Sequence, residues 1–218
     1  METQRVKYQW LPGTLMLLLA TIATAAHSQQ SLGAEQIKTA YYKSYTYEKS
    51  GNYNDAIKAL QLVYQEYPKS FGVNHRLGYL YSLNAQFKNS AHHYKQAVTA
   101  LPDALSPKLG LMYTYLLGQR YEEASKLGYQ ILRIDYYNYY GNLRLAHVLR
   151  KQGNTEMAES ILLKMLVRYP SDTLYLTELG LLTLARGEKA RSGEIMAEVL
   201  ILDPENVAAK SVLLSLQE

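Results

Sequence analysis

Five histidines, 19 acidic side chains and no cysteine make up the chain's stock of conventional metal-binding and nucleophilic groups. The histidines are His27, His75, His92, His93 and His147. His92 and His93 are neighbours, so on a helix they point in different directions, and His75 and His147 lie too far apart for one zinc or iron ion. There is no Gly-x-Ser-x-Gly elbow, phosphate loop or His-Glu-x-x-His pair. No catalytic residue, metal ligand or cofactor is therefore assigned, and the expectation is a protein that is not an enzyme. The unusual residue is tyrosine, with 21 Tyr against 2 Phe and 1 Trp. Its ring suits a half-buried surface and its hydroxyl stays wet, which is the chemistry of binding.

The elements that must position these tyrosines repeat every 34 residues. Ala56, Ser90, Ala124, Ala158 and Ser192 share one register. Pro68, Pro102, Pro170 and Pro204 share another, with Tyr136 in the remaining slot. Leu77, Leu111, Leu145 and Leu179 form a third column, and Val98, Leu132, Leu166 and Leu200 a fourth. A period of this size marks a solenoid of stacked units. Each unit reads as two helices. Leu77, Gly78 and Tyr81 share a face of the first; Ser90, Tyr94 and Ala97 mark the second, which Pro102 closes. Gly51, Gly153 and Gly187 fall in the turn between them. Small residues at Ser44, Gly78, Ala146 and Gly180 on the first helix, and at Ala56 and its equivalents on the second, let the pair approach closely. Gly110 and Gly128 stand inside the helices of the third unit, which makes it the expected soft joint of the array.

These motifs resemble the tetratricopeptide repeat family. Leu77-Gly78-x-x-Tyr81 followed by Ser90, Tyr94, Ala97 and Pro102 is similar to the family signature, as is Gly51-Asn52-Tyr53-Asn54-Asp55-Ala56-Ile57 with Pro68. Lys43 in place of the first-unit Leu, Met112 in place of a small residue and Tyr136 in place of Pro depart from it. The resemblance implies an all-α, right-handed α-solenoid of helix-turn-helix hairpins. Five units are expected at 37–70, 71–104, 105–138, 139–172 and 173–206, with a capping helix over 207–218 that packs Val212, Leu213, Leu214 and Leu216 and wets Lys210, Ser211 and Ser215.

The resemblance also implies that the first helices line the concave side. Two rows then either face a ligand or pack between neighbouring repeats: Tyr45, Tyr79, Tyr113, His147 and Leu181, and four residues earlier Tyr41, His75, Leu109, Leu143 and Thr177. Tyr47, Tyr81 and Tyr115 belong instead to the pattern that the family needs for its core. Arg150, with Arg144 and Lys151, could make the far half of the groove basic, or could be a solvated helix face. Such a groove suits an extended or helical peptide segment, with sugar stacking as the alternative. The Lys, Asn and Arg clamp that some family members use on acidic chaperone tails is absent, since Tyr41, Tyr45 and His75 stand at its places.

Residues 1–28 read as a secretory signal: Arg5 and Lys7, an apolar stretch from Leu11 to Ala26, then small residues, with cleavage after Ala25 or Ser28 and a linker over 29–36. An uncleaved inner-membrane anchor is the alternative, although the apolar run falls short of the ~20 residues that span a bilayer. Lack of cysteine excludes a bacterial lipoprotein anchor and any disulfide framework. The net charge of +4 comes from scattered residues, so nucleic acid is not an expected partner. The expected role is a scaffold of the bacterial periplasm or outer membrane that binds a protein segment of an envelope complex. A polysaccharide-export or carbohydrate-binding accessory protein, an enzyme's accessory subunit, and self-association through the array ends are the other expectations.

Overall fold

A computed structural model describes residues 32–217, as twelve helices with no strand among the described residues. They are α1 (Ala34–Lys49), α2 (Tyr53–Lys58), α3 (Gln61–Glu66), α4 (Phe71–Leu83), α5 (Phe87–Ala100), α6 (Leu105–Leu117), α7 (Tyr121–Ile134), α8 (Tyr139–Lys151), α9 (Thr155–Leu166), α10 (Thr173–Ala185), α11 (Lys189–Leu202) and α12 (Val207–Ser215). The signal, residues 1–28, lies outside the described residues. No described helix is long and apolar enough to cross a membrane. α1 begins at Ala34, inside the expected linker, because Gly33 and Gln36 close its first turn: the Gly33 amide donates to Gln36 Oε1 at 2.9 Å.

The helices form antiparallel pairs, α4 with α5, α6 with α7, α8 with α9 and α10 with α11, and each pair packs on the next. α1 pairs with α2, and α2 and α3 continue one rod loosened at Ala59 and Leu60. The turn within each hairpin contains one left-handed residue, at Gly51, Ala85, Gln119, Gly153 and Gly187. These five positions keep the 34-residue step, but Ala85 and Gln119 have φ of 54° and 56°, a conformation that disfavours a side chain.

A size exchange fixes the spacing of each pair. A Cβ on Gly78 would lie 2.7 Å from the Tyr94 ring, and one on Gly180 2.7 Å from Met196 Cε. In the third unit the sizes are reversed. Buried Met112 stands where Gly78 stands, and Gly128 stands where Tyr94 stands, with Met112 Cε filling the glycine's space. Gly110 is likewise needed, because the Tyr94 ring occupies the space its Cβ would take. The two glycines are seats for neighbouring side chains rather than gaps in the joint, which corrects the reason for expecting softness there.

Polar side chains stitch successive units. Asn74, Lys108 and Asn142, 34 residues apart, donate to the carbonyls of Pro68, Pro102 and Tyr136 respectively. Only the carbonyl is used, so Tyr136 serves where proline is expected. Ser90 and Ser192 donate to the carbonyls of Gly78 and Gly180, each at 2.8 Å, and so cross-link the two helices of a hairpin. Lys43 and Tyr47, expected at core positions, are exposed because no described helix precedes α1 to cover them. α12 closes the other end by burying Ala209 and Val212 on Met196 and Val199. Leu214 lies on the outer face and is exposed, contrary to its expected place in the cap's apolar side.

Candidate functional site

α4, α6, α8, α10 and α12 lie side by side as one wall. In the half built by the last four of these, a cavity of about 650 Å³ opens between Tyr113 and Leu116 of α6, Tyr140, Leu143, Arg144 and His147 of α8, Leu174, Thr177 and Glu178 of α10, and Asn206, Val207 and Ala208 at the start of α12. Four residues of the expected rows, Tyr113, Leu143, His147 and Thr177, meet here. Asn206 caps α12 by accepting from the Ala209 amide at 3.0 Å, which holds Val207 and Ala208 at the cavity's rim. Mostly apolar walls with a few convergent polar groups are the usual make-up of a ligand site.

The polar groups are organised by charge. Glu178 is buried, with Arg150 Nε donating to its Oε1 at 2.6 Å and Arg150 Nη2 to its Oε2 at 3.2 Å. His147 Nδ1 lies 3.1 Å from Oε2. Burial alone would push the Glu178 carboxyl up, but hydrogen bonds and charge from His147 and Arg150 hold it below the usual carboxylate range. Arg144 lies between two rings, its guanidinium 4.7 Å from the Tyr113 centroid and 5.3 Å from that of Tyr140. Its Nη1 donates to the Leu109 carbonyl at 2.8 Å. Burial lowers its basicity, and the charges of Tyr113, Tyr140 and Tyr94 oppose that effect.

The expected basic end of the groove is corrected by this geometry. Arg150 is consumed by Glu178, and Lys151 is exposed at the end of α8. Arg144 alone of the three supplies a cation to the cavity.

The remaining expected residues are placed elsewhere. Tyr45 and Tyr79 flank Arg76, whose guanidinium lies 3.8 Å and 5.8 Å from their centroids. Arg76 also binds Glu48 at 2.5 Å and Ser44 Oγ at 3.3 Å, so the cation at this end of the ladder is already paired. Tyr41 packs on the N-terminal core. His75 stacks on Phe71 at 5.5 Å, and burial depresses its pKa. Leu109 packs on the central core and Leu181 on the C-terminal one, so both serve the array.

Arg76, Tyr140 and Glu178 were not among the expected site residues, yet two of them had a readable signal. Glu48 and Arg76 are 28 residues apart, and so are Arg150 and Glu178. Opposite charges at that spacing join the end of one first helix to the middle of the next.

On the other face, α7 and α9 enclose a second cavity of about 500 Å³ beside Tyr129, Tyr136, Met157 and Lys164. Two cations line it: Arg133 is exposed, whereas Lys164 Nζ donates to Asn142 Oδ1 at 2.6 Å and lies 3.9 Å from the Tyr136 centroid. His93, expected to diverge from His92, meets it edge to face at 5.1 Å. It is buried on Asn74 Oδ1 at 2.9 Å, and burial with the charge of His92 lowers its pKa to about 4. Among the described residues no group of three or more His, Cys, Asp or Glu could hold a metal ion.

A tetratricopeptide-repeat family model matches residues 39–70. Comparison with curated proteins found no match to the sequence. Among solved structures, a thermophilic tetratricopeptide repeat protein of Thermus thermophilus superposes with a TM-score of 0.65 at 16% identity, over 83% of this chain and 98% of that one. One from Parabacteroides merdae gives 0.75 at 14% identity, over 84% and 72%. YrrB, described as having an unusual peptide-binding site, gives 0.67 at 10% identity, over 83% and 91%. Identities this low carry the fold alone. Taken with the paired helices and the 34-residue columns, they give the chain the tetratricopeptide repeat fold, and the family's own model matches its first unit.

Proposed function

We propose that this protein is a non-catalytic scaffold of the bacterial cell envelope that holds an extended segment of a partner protein along α6, α8, α10 and α12. The repeat fold is that of a protein–protein interaction scaffold. The observation that carries the rest is the cavity of about 650 Å³ whose wall is shared by four successive helices. A single small molecule needs no such continuity, whereas an extended chain crosses several units and meets one pocket after another. YrrB, which shares the fold, is described as having a peptide-binding site, and this favours a peptide here as well. Sugar stacking is less favoured, because guanidinium groups already cover faces of Tyr45 and Tyr113. The envelope assignment rests on the signal-like residues 1–28.

Bait capture from envelope extract tests the proposal. Leu143→Asp places a charge on the groove wall, whereas Glu156→Lys changes an exposed position at the start of α9. The proposal expects the first substitution to release the specific partner and the second to retain it. Retention by Leu143→Asp, in protein whose helicity is unchanged, would sink the groove assignment. Recovery of the protein in cytosol rather than envelope fractions would sink the location.

A further inference from the structure

We infer that Arg144 is the anchor for an acidic side chain, so that the partner segment carries a Glu or Asp flanked by apolar residues. The inference rests on the groove reading above and adds the chemistry that selects the segment.

Three arginines lie on the wall of first helices, and two already have carboxylates. Arg76 is paired with Glu48, and Arg150 with Glu178. Among the described residues, no carboxylate pairs with Arg144. The reason is visible in the repeat. Glu48 precedes Arg76 by 28 residues and Arg150 precedes Glu178 by the same step, so that spacing places a countercharge on the neighbouring helix. The residue 28 before Arg144 is Leu116, and both line the cavity. The slot that holds a countercharge in the other two cases therefore holds an apolar wall here.

What remains is a guanidinium prepared for an anion. Tyr113 and Tyr140 flank it, and the Leu109 carbonyl fixes Nη1, so little side-chain freedom is left to lose on binding. Its other N–H groups have no acceptor among the described residues, and a planar carboxylate matches that fork with two parallel hydrogen bonds. Glu178 on the same cavity does not compete, because Arg150 already binds both of its oxygens. Leu116 and Leu143 on one side and Leu174 and Val207 on the other set apolar flanks. Arg144 lies on α8, with α6 on one side and α10 and α12 on the other, so a segment that crosses these helices meets it with an internal side chain rather than a chain end.

The test uses fluorescent, N-acetylated and C-amidated peptide pools with apolar randomised flanks and a centre fixed as Glu, Asp, Gln or Lys. Anisotropy with the purified chain is expected to show the Glu or Asp pool binding about ten- to a hundredfold tighter than the Gln pool, the range of a charge-assisted bidentate contact. Arg144→Gln should abolish that preference, so that the Glu and Gln pools bind the variant with equal affinity. Should that variant not fold, the comparison of Glu and Gln pools on the unaltered chain still decides. Arginine side-chain ¹⁵N spectra provide a second reading, since the Arg144 Nε–H signal must shift with the Glu pool. Equal binding of the Glu and Gln pools overturns the anchor but leaves the groove reading standing. Preference for a pool with a free C-terminus and a Gln centre overturns the assignment to an internal side chain. Failure of every pool to bind the unaltered chain overturns the groove reading, and this inference with it.

Discussion

Exchanging Met112 and Gly128 tests whether paired side-chain sizes set the distance between helices. Met112 is fully buried, and a Cβ on Gly128 would lie 2.9 Å from Met112 Cε and 3.0 Å from Leu145 Cδ1. Met112→Gly empties a core position and adds a mid-helix glycine, costing about 4 kcal/mol. Gly128→Met gains helix propensity but overfills the same space, for a net cost of about 1–2 kcal/mol. Separately additive effects would sum to about 5–6 kcal/mol. In the exchanged protein the new methionine enters the space the old one left, as Met196 does against Gly180 in the fifth unit. The double variant should therefore recover about 2–3 kcal/mol of that sum. Urea titration followed by circular dichroism gives the three stabilities, provided the slopes agree, since arrays can unfold in parts. Additivity within about 0.5 kcal/mol would refute the reasoning.

Three further predictions follow from local geometry. His93, with its pKa lowered to about 4 by burial, stays neutral in the folded protein, whereas the unfolded chain takes up a proton near pH 6.5. Stability should fall as pH drops from about 6.5 toward about 4, by on the order of 2 kcal/mol after allowing for solvent screening. A flat urea midpoint over that window, or a His93 NMR titration near 6.5, would contradict this. Glu178→Ala leaves the Arg150 charge half-buried and should cost about 3 kcal/mol, with partial recovery in the reversed pair Arg150→Glu/Glu178→Arg; thermal unfolding that changes by less than a degree would count against it. Gln119→Gly relieves the left-handed strain at φ 56° and should add about 1 kcal/mol to stability, whereas Gly153→Ala, at φ 80°, should remove at least as much; denaturant midpoints moving the other way would show that the turns tolerate side chains.

The repeat was legible because its cause is local. Small residues, prolines and leucines recur at one step, and each unit makes the same contacts as its neighbour. The five left-handed turns keep that step too, but only Gly51, Gly153 and Gly187 announce themselves, since Ala85 and Gln119 adopt the conformation without the residue that signals it. Met112 reads as a departure from the pattern because its compensation, Gly128, lies 16 residues away on the partner helix. The tyrosine column was visible, but its division was not: Tyr45 and Tyr79 flank a paired arginine, whereas Tyr113 helps to line a cavity. That difference depends on which arginine already has a carboxylate. The 28-residue spacing of Glu48 with Arg76 and of Arg150 with Glu178 carries that information, and it emerges only once the first helices are known to lie side by side.

The central claim is that the partner lies along the first helices and not on the opposite face. A photo-crosslinking amino acid placed at Leu116, in the groove, and separately at Met157, in the cavity of the other face, distinguishes the two within the intact cell. The account predicts a discrete crosslinked partner from position 116 that is absent from position 157. The same partner captured from position 157, with none from 116, would contradict it.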